Sequence, residues 1–311
     1  MLHSYYKNDI MYSLIYEKVA IEGSLMNIKY NYLHGSENEL DKKYNINNHP
    51  DPDMDGCKKL YDDIIEAYFK NGKLENNEVK VLEQQFKYNK QYDKIANTEL
   101  WRRYYLLNNV NPKRESASYK PPFYTIVYKD FYLSSDYIGP SIYWATQKGL
   151  SSEIILEILN KCRTIGGHIV WPRRGGEGKT TINQARSGRK SLYDRIDWTL
   201  FLIKQFCDNN FDSDSVKTYI SCSKKIGIDN IGNTEKFLDT LNIYHKWFKE
   251  FGDSSVAFID FCKQFKLEDS FVDKEYNIIW FSPPIPFLPD NYDAFVGNNI
   301  SAIEKRNKQL I

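Results

Sequence analysis

Apolar residues recur at helical spacing in several stretches of the chain. The clearest stretch is 191–207, where Ile196, Leu200 and Ile203 form one apolar stripe and predict an amphipathic helix. One other stretch, 74–107, is polar and charged and is also expected to be helical. The remaining stretches expected to be helical are 57–72, 139–162 and 233–266.

Aromatic and β-branched residues predict strands in the parts of the chain between these helices. The stretch 123–134 has this composition and predicts a strand or a hairpin. Residues 166–172 predict a short strand with 179–183 as its partner, and 276–282 predicts one more strand before a proline-rich tail. The pattern therefore indicates an α+β fold, with a small, mostly antiparallel sheet flanked by several helices.

Chain length and local composition indicate the domain organisation. The chain has 311 residues, which suits one large domain or two smaller ones. Residues 1–50 are rich in Tyr and Asn and end in a loop-like run. We expect residues 1–50 to be an N-terminal extension and residues 51–311 to be a single α+β domain.

Charge and cysteine usage narrow the possible partners and the compartment. The 42 basic and 41 acidic residues nearly balance, so nothing demands nucleic acid or a membrane as partner. The five cysteines are scattered and include no CxxC pair, which argues against a zinc site or a disulfide framework. We expect a cytoplasmic protein with no metal, no cofactor and no membrane span. Self-association into a homo-oligomer is compatible with these features.

The stretch Gly175–Thr181 is similar to a phosphate-binding loop, because glycines precede Lys179. Such a loop needs a buried strand before it and a helix that begins at the lysine. Here Pro172 interrupts the approach, and the standard spacing would place Arg173 at the first glycine. The segment 256–261 could supply Asp260 as a magnesium ligand from a strand, but it fits an amphipathic helix equally well. We expect a hairpin loop rather than a nucleotide site.

An acidic run imitates a calcium-binding loop. Asp51, Asp53, Asp55 and Gly56 fall at the first, third, fifth and sixth positions of that pattern. The twelfth position is Asp62, whose side chain is shorter than the usual glutamate. We expect Asp55 to cap a helix instead of binding calcium.

Two further residues could take part in proton transfer. His168 lies between glycines and an apolar strand, so its ring is either buried and hydrogen-bonded or a general acid/base. Asp136 follows Ser134 and Ser135 at a strand end, where all three suit a turn or a cap. A strand that ends in two serines is also similar to the serine motif that shapes the nicotinamide pocket of ADP-ribosyltransferases. His168 and Asp136 are the catalytic candidates.

The densest cluster of polar residues runs from 183 to 197. Asp194 and Asp197 have the spacing of a helix N-cap and its third helical residue, and Arg186 could pair with one of them. Alternatively, an anion pocket could form beside the positive end of the helix. Its anion-binding residues would be Asn183, Arg186 and Arg195.

Four stretches of the chain resemble an uncharacterised family of bacterial and prophage proteins. Its members carry patterns like FFLSSD, TIGGHIVFP, TINxARG and DRFDLTL in the same order as "FYLSSD", "TIGGHIVWP", "TINQARSG" and "DRIDWTL" here. This chain departs at Ser187, where glycine is usual, and at Trp171 and Trp198, where phenylalanine is usual. The resemblance implies a shared site but no reaction.

Two functional hypotheses follow from these observations. The first is an interaction protein with a protein partner, acting in conflict between bacteria and phages, because resembling proteins occur in mobile DNA. The second is an enzyme acting on a nucleotide or nucleic acid, with the 183–195 cluster holding phosphate. An enzyme should bring His168, Asp136 and Arg186 to one cleft, whereas an interaction protein should bury them.

Overall fold

A computed structural model gives the architecture of most of the predicted domain. Residues 1–57, with the N-terminal extension and the calcium-like run, and the glycine-rich loop 173–180 lie outside the described residues. The described residues are 58–70, 72–74, 78–85, 122–141, 144–145, 148–162, 164–172, 181–187, 195–211, 231–283 and 290–310.

A four-stranded antiparallel sheet forms the centre of the fold, and its strands follow one another in chain order. The predicted hairpin is confirmed, with a tight turn in which Lys129 adopts a positive φ of 49°. The predicted α+β class is therefore confirmed. The strands are β1 (Val79–Gln85), β2 (Pro122–Tyr128), β3 (Phe131–Tyr137) and β4 (His168–Pro172).

Helices pack around this sheet. The predicted amphipathic helix is confirmed as α4, and its stripe of Ile196, Leu200 and Ile203 is fully buried. The helices are α1 (Lys58–Ile64, extended by a π-helical turn Ile65–Phe69), α2 (Ser152–Cys162), α3 (Ile182–Ser187), α4 (Ile196–Asp208), α5 (Ile231–Ile243), α6 (His245–Lys249), α7 (Ser254–Gln264) and α8 (Tyr292–Gln309).

Two predicted elements have the opposite secondary structure. Residues 79–85, within a stretch predicted helical, form β1, because pairing along the whole of β2 outweighs the weak helical pattern. Residues 182 and 183, predicted as the end of a strand, begin α3 instead. Ala185 donates its amide to the Thr181 carbonyl, and Ile182, Ala185 and Arg186 are buried on one helical face.

The helical region expected over 233–266 is present as three helices, α5, α6 and α7, with Gly252 at a φ of 132° before α7. One other prediction is wrong in extent. The strand expected over 276–282 forms only an isolated bridge between Val272 and Ile278. Asp273 accepts the amides of Glu275 and Asn277, so a side chain takes backbone donors that a strand would use.

Aromatic rings fill the space between the sheet and helices α6 and α7. Trp171 of β4 stacks on Phe261 with a centroid distance of 5.8 Å, and Trp247 meets Phe131 edge-on at 5.4 Å. The stretch around Asp260, which fitted a strand or a helix, is helix α7, and Asp260 forms an ion pair with Lys73. Among the described helices, none is long and apolar enough to cross a membrane.

Candidate functional site

The turn before β4 is a single 3₁₀ turn, Ile165–Gly167. A β-carbon on Gly167 would lie 1.8 Å from the carbonyl oxygen of Cys162, so only glycine fits there. The Gly167 carbonyl accepts the amide of Ile138, which links the turn to the end of β3. This close backbone packing is what places His168 at the start of β4.

His168 is completely buried, and its Nδ1 lies 3.0 Å from the hydroxyl oxygen of Ser135. The ring also contacts Tyr137, with centroids 5.8 Å apart. The second serine of "LSSD" therefore bonds to His168 within the core. A Ser–His pair of this kind can transfer a proton, but both side chains are enclosed by protein.

Asp136 and Arg186 form a buried ion pair on the sheet. The Arg186 Nη1 lies 3.1 Å from Asp136 Oδ2 and also donates to the carbonyl of Tyr137 at 3.0 Å. The same carboxylate oxygen accepts the indole N–H of Trp171 at 2.9 Å. Helix α3 and strands β3 and β4 are thus joined through one carboxylate.

The two catalytic candidates point to opposite faces of the sheet. Tyr137 pairs with His168, and Asp136 pairs with Ile169 in the next register position. Successive side chains of a strand alternate between faces, so His168 shares a face with Ser135 and Asp136 shares the other with Trp171. Arg186 pairs with Asp136, so His168 does not share a face of the sheet with this ion pair.

Arg195 and Asp197 form the second buried pair, at the start of α4. The guanidinium contacts both carboxylate oxygens, at 2.8 and 3.0 Å, and donates to the Pro283 carbonyl at 3.2 Å. Asp197 also accepts the amides of Trp198 and Phe281. This two-pronged geometry fastens the first turn of α4 to the segment before α8.

The remaining predicted residues of the cluster are less enclosed or lie outside the described residues. Asn183 is half-buried in the first turn of α3. Helix α4 begins at Ile196 with Arg195 at its N-cap position, and Arg195 makes no side-chain cap bond there. Asp194, the predicted cap, lies outside the described residues, as does Lys179 of the glycine-rich loop.

Sequence reasoning missed the residues of α8 that hold the 3₁₀ turn. Arg306 donates to the carbonyls of Gly166 and His168, each at 2.8 Å, and Asn307 accepts the Gly166 amide. Arg306 also lies over the Tyr68 ring at 4.9 Å. Burial raises the pKa of Tyr68 to about 12, although the nearby guanidinium opposes that rise. The apolar periodicity of residues 295–303 was the available signal.

The described residues offer little for metal or thiol chemistry. No group of three or more His, Cys, Asp or Glu side chains among them could hold a metal ion. Cys162, Cys207 and Cys262 are buried and form no disulfide, and burial raises the pKa of Cys207 and Cys262 well above the usual thiol range. Thiols held in the protonated form are poor nucleophiles.

Part of this chain matches the model of one protein family. Residues 100–221 match the model of a family of unknown function (DUF6994). The match contains β2, β3, α2, β4, α3 and α4, and therefore both buried ion pairs and all four motif stretches. Helix α8 lies beyond it. Searches of the curated proteins and of the solved structures found no match.

Proposed function

We propose that this chain is an interaction protein that acts by binding a protein partner. The observation that carries the proposal is the burial of the predicted site. His168, Asp136, Arg186, Arg195 and Asp197 are all enclosed and bonded to neighbouring groups of the protein. A carboxylate already occupies each arginine, so neither guanidinium is presented to a phosphate.

The proposed setting is conflict between bacteria and phages, in the cytoplasm. The four motif stretches support it, because they resemble proteins of bacteria and prophages. The buried cysteines of the described residues form no disulfide, which suits a reducing compartment. A partner of this kind would bind an outer surface of the domain, with the buried ion pairs serving to hold that surface in shape. Self-association into a homo-oligomer is compatible with this mode of action.

The alternative is an enzyme that acts on a nucleotide or nucleic acid. Asn183 is the observation in its favour, because this half-buried amide lies one helical turn from Arg186. It is the member of the predicted anion pocket that a ligand can reach without breaking an ion pair.

Phage challenge of bacteria that express the full chain tests the proposal. We expect a change in plating efficiency for at least one phage, and a specific host or phage protein cross-linked to the tagged chain during infection. Asn183→Ala should keep both effects if binding is the function. Loss of the plating effect in Asn183→Ala, with an unchanged melting temperature, would favour the enzyme. No plating effect and no cross-linked partner across a broad phage panel would contradict the proposal.

A further inference from the structure

The described residues contain three arginines whose side chains are fully buried, and the protein neutralises only two of them with acids. Arg186 pairs with Asp136 and Arg195 pairs with Asp197. Arg306 has no carboxylate partner among the described residues and bonds instead to the main-chain carbonyls of Phe265, Gly166 and His168. Among the described residues, carbonyl dipoles and the face of the Tyr68 ring compensate this buried positive charge.

The guanidinium of Arg306 also has a donor group that no described residue accepts. Its Nη2 is buried and has no hydrogen-bond partner among the described residues. Burial lowers the pKa of Arg306 below its usual range, while the neighbouring Tyr68 opposes that change. An unused N–H on a buried cation is costly, since its hydration has been lost without replacement.

A second unused polar group lies on the same face of helix α8. Asn299 is fully buried, and neither its amide nitrogen nor its amide oxygen has a partner among the described residues. Seven residues separate Asn299 from Arg306, which is two helical turns, so both lie on one stripe. Ala302 lies on the turn between them and contributes only a methyl group.

We propose that the inward face of α8 between Asn299 and Arg306 is a binding site for a small oxyanion that also carries an O–H or N–H group. The anionic oxygen would accept hydrogen bonds from Arg306 Nη2 and the Asn299 amide nitrogen. The ligand's own donor would satisfy the Asn299 amide oxygen. Hydrogen phosphate has both features, as do hydroxy and amino carboxylates, whereas sulfate at neutral pH has no donor. Long side chains of helical residues generally lean toward the helix N-terminus, which from Arg306 is the direction of Asn299.

Thermal unfolding of the full chain in matched salts tests this site. A ligand that binds only the folded state raises the melting temperature in a saturable way. We expect inorganic phosphate to raise the melting temperature by several degrees, and potassium sulfate at the same ionic strength and pH to give a smaller, non-saturating rise. Equilibrium dialysis against labelled phosphate should give one equivalent bound per chain.

Matched variants separate a site from a packing defect. Asn299→Leu should abolish the phosphate-dependent rise, whereas Lys305→Gln, which removes an exposed charge from the opposite face of α8, should leave it intact. A rise that persists in Asn299→Leu, an equal response to sulfate, or less than a tenth of an equivalent bound would overturn the proposal. Dialysis of the wild-type chain decides the matter if Asn299→Leu does not fold.

Discussion

At the scale of single residues, the two ion pairs account for three of the polar side chains between 183 and 197, those of Arg186, Arg195 and Asp197. Arg186 and Arg195 look like phosphate ligands in sequence, because arginine suits phosphate as well as carboxylate. The structure gives each a carboxylate, and these come from very different distances along the chain. Asp197 is two residues from Arg195, whereas Asp136 is fifty residues from Arg186.

Arg186→Ala should destabilise the fold strongly, because it leaves Asp136 buried without its cation. The expected cost is about 3–5 kcal/mol in the free energy of unfolding, measured by urea denaturation. The double variant Asp136→Asn, Arg186→Met should recover part of this loss, since no buried charge then remains. Unchanged stability of Arg186→Ala would show that the pair contributes nothing to folding and would reopen the anion-pocket interpretation.

At the scale of elements, the turn before β4 is the most constrained piece of backbone. Gly167→Ala places a methyl group against the Cys162 carbonyl, so the turn must shift and its bonds to α8 must weaken. We expect a loss of about 3 kcal/mol or more, typical of strained or overpacked sites.

Gly297→Ala is the matched control for that substitution. Gly297 lies within α8 with nothing within 4 Å of the added β-carbon, so alanine should stabilise the helix by about 0.5–1 kcal/mol. Chemical denaturation of both variants checks the pair. Equal effects at the two glycines would mean that the close packing at Gly167 is unimportant.

The turn after α7 should show an acid-dependent step. The backbone amides of Asn277 and Glu275 bond to the carboxylate of Asp273 and hold its pKa below the usual value. A lowered folded pKa means that the carboxylate supports the turn above about pH 3.9 and that this support is lost as pH falls through the folded pKa.

An NMR titration of the Glu275 and Asn277 amides measures that step. Asp273→Asn should remove it, because the amide side chain does not titrate, while Asp239→Asn on the exposed face of α5 should not change it. An Asp273 titration at or above the usual aspartate value would contradict the assignment.

At the scale of the whole molecule, the family match over residues 100–221 does not cover every element that packs in this domain. Helix α8 lies outside residues 100–221, yet Arg306 and Asn307 hold the turn from which β4 begins. Its apolar face is buried against the rest of the domain. The domain is therefore completed by a segment that the family match does not cover.

Ile303→Asp should abolish cooperative unfolding of the full chain, because it places a charge in the core contact of α8. Ser301→Asp, on the exposed side of the same helix, should leave the melting temperature nearly unchanged. Circular dichroism melting curves compare the two. A cooperative transition in Ile303→Asp at the wild-type temperature would show that α8 is dispensable for the fold.

Local pattern was sufficient for some elements. The apolar stripe of α4 and the aromatic, β-branched composition of the β2–β3 hairpin predicted both elements correctly, because each signal lies in neighbouring residues of the chain. At Asp273, where one side chain accepts two backbone amides that a strand would use, the local pattern predicted a strand that does not form.

The sequence by itself determined the α+β class, the amphipathic helix, the hairpin and five of the residues that form buried polar contacts, namely Asp136, His168, Arg186, Arg195 and Asp197. Only the tertiary structure decided which of those residues meet. Strand register sends His168 and Asp136 to opposite faces, and the fold brings α8 to the 3₁₀ turn from about 140 residues away. Such contacts depend on how elements pack, and that information is not present in the spacing of residues along any one of them.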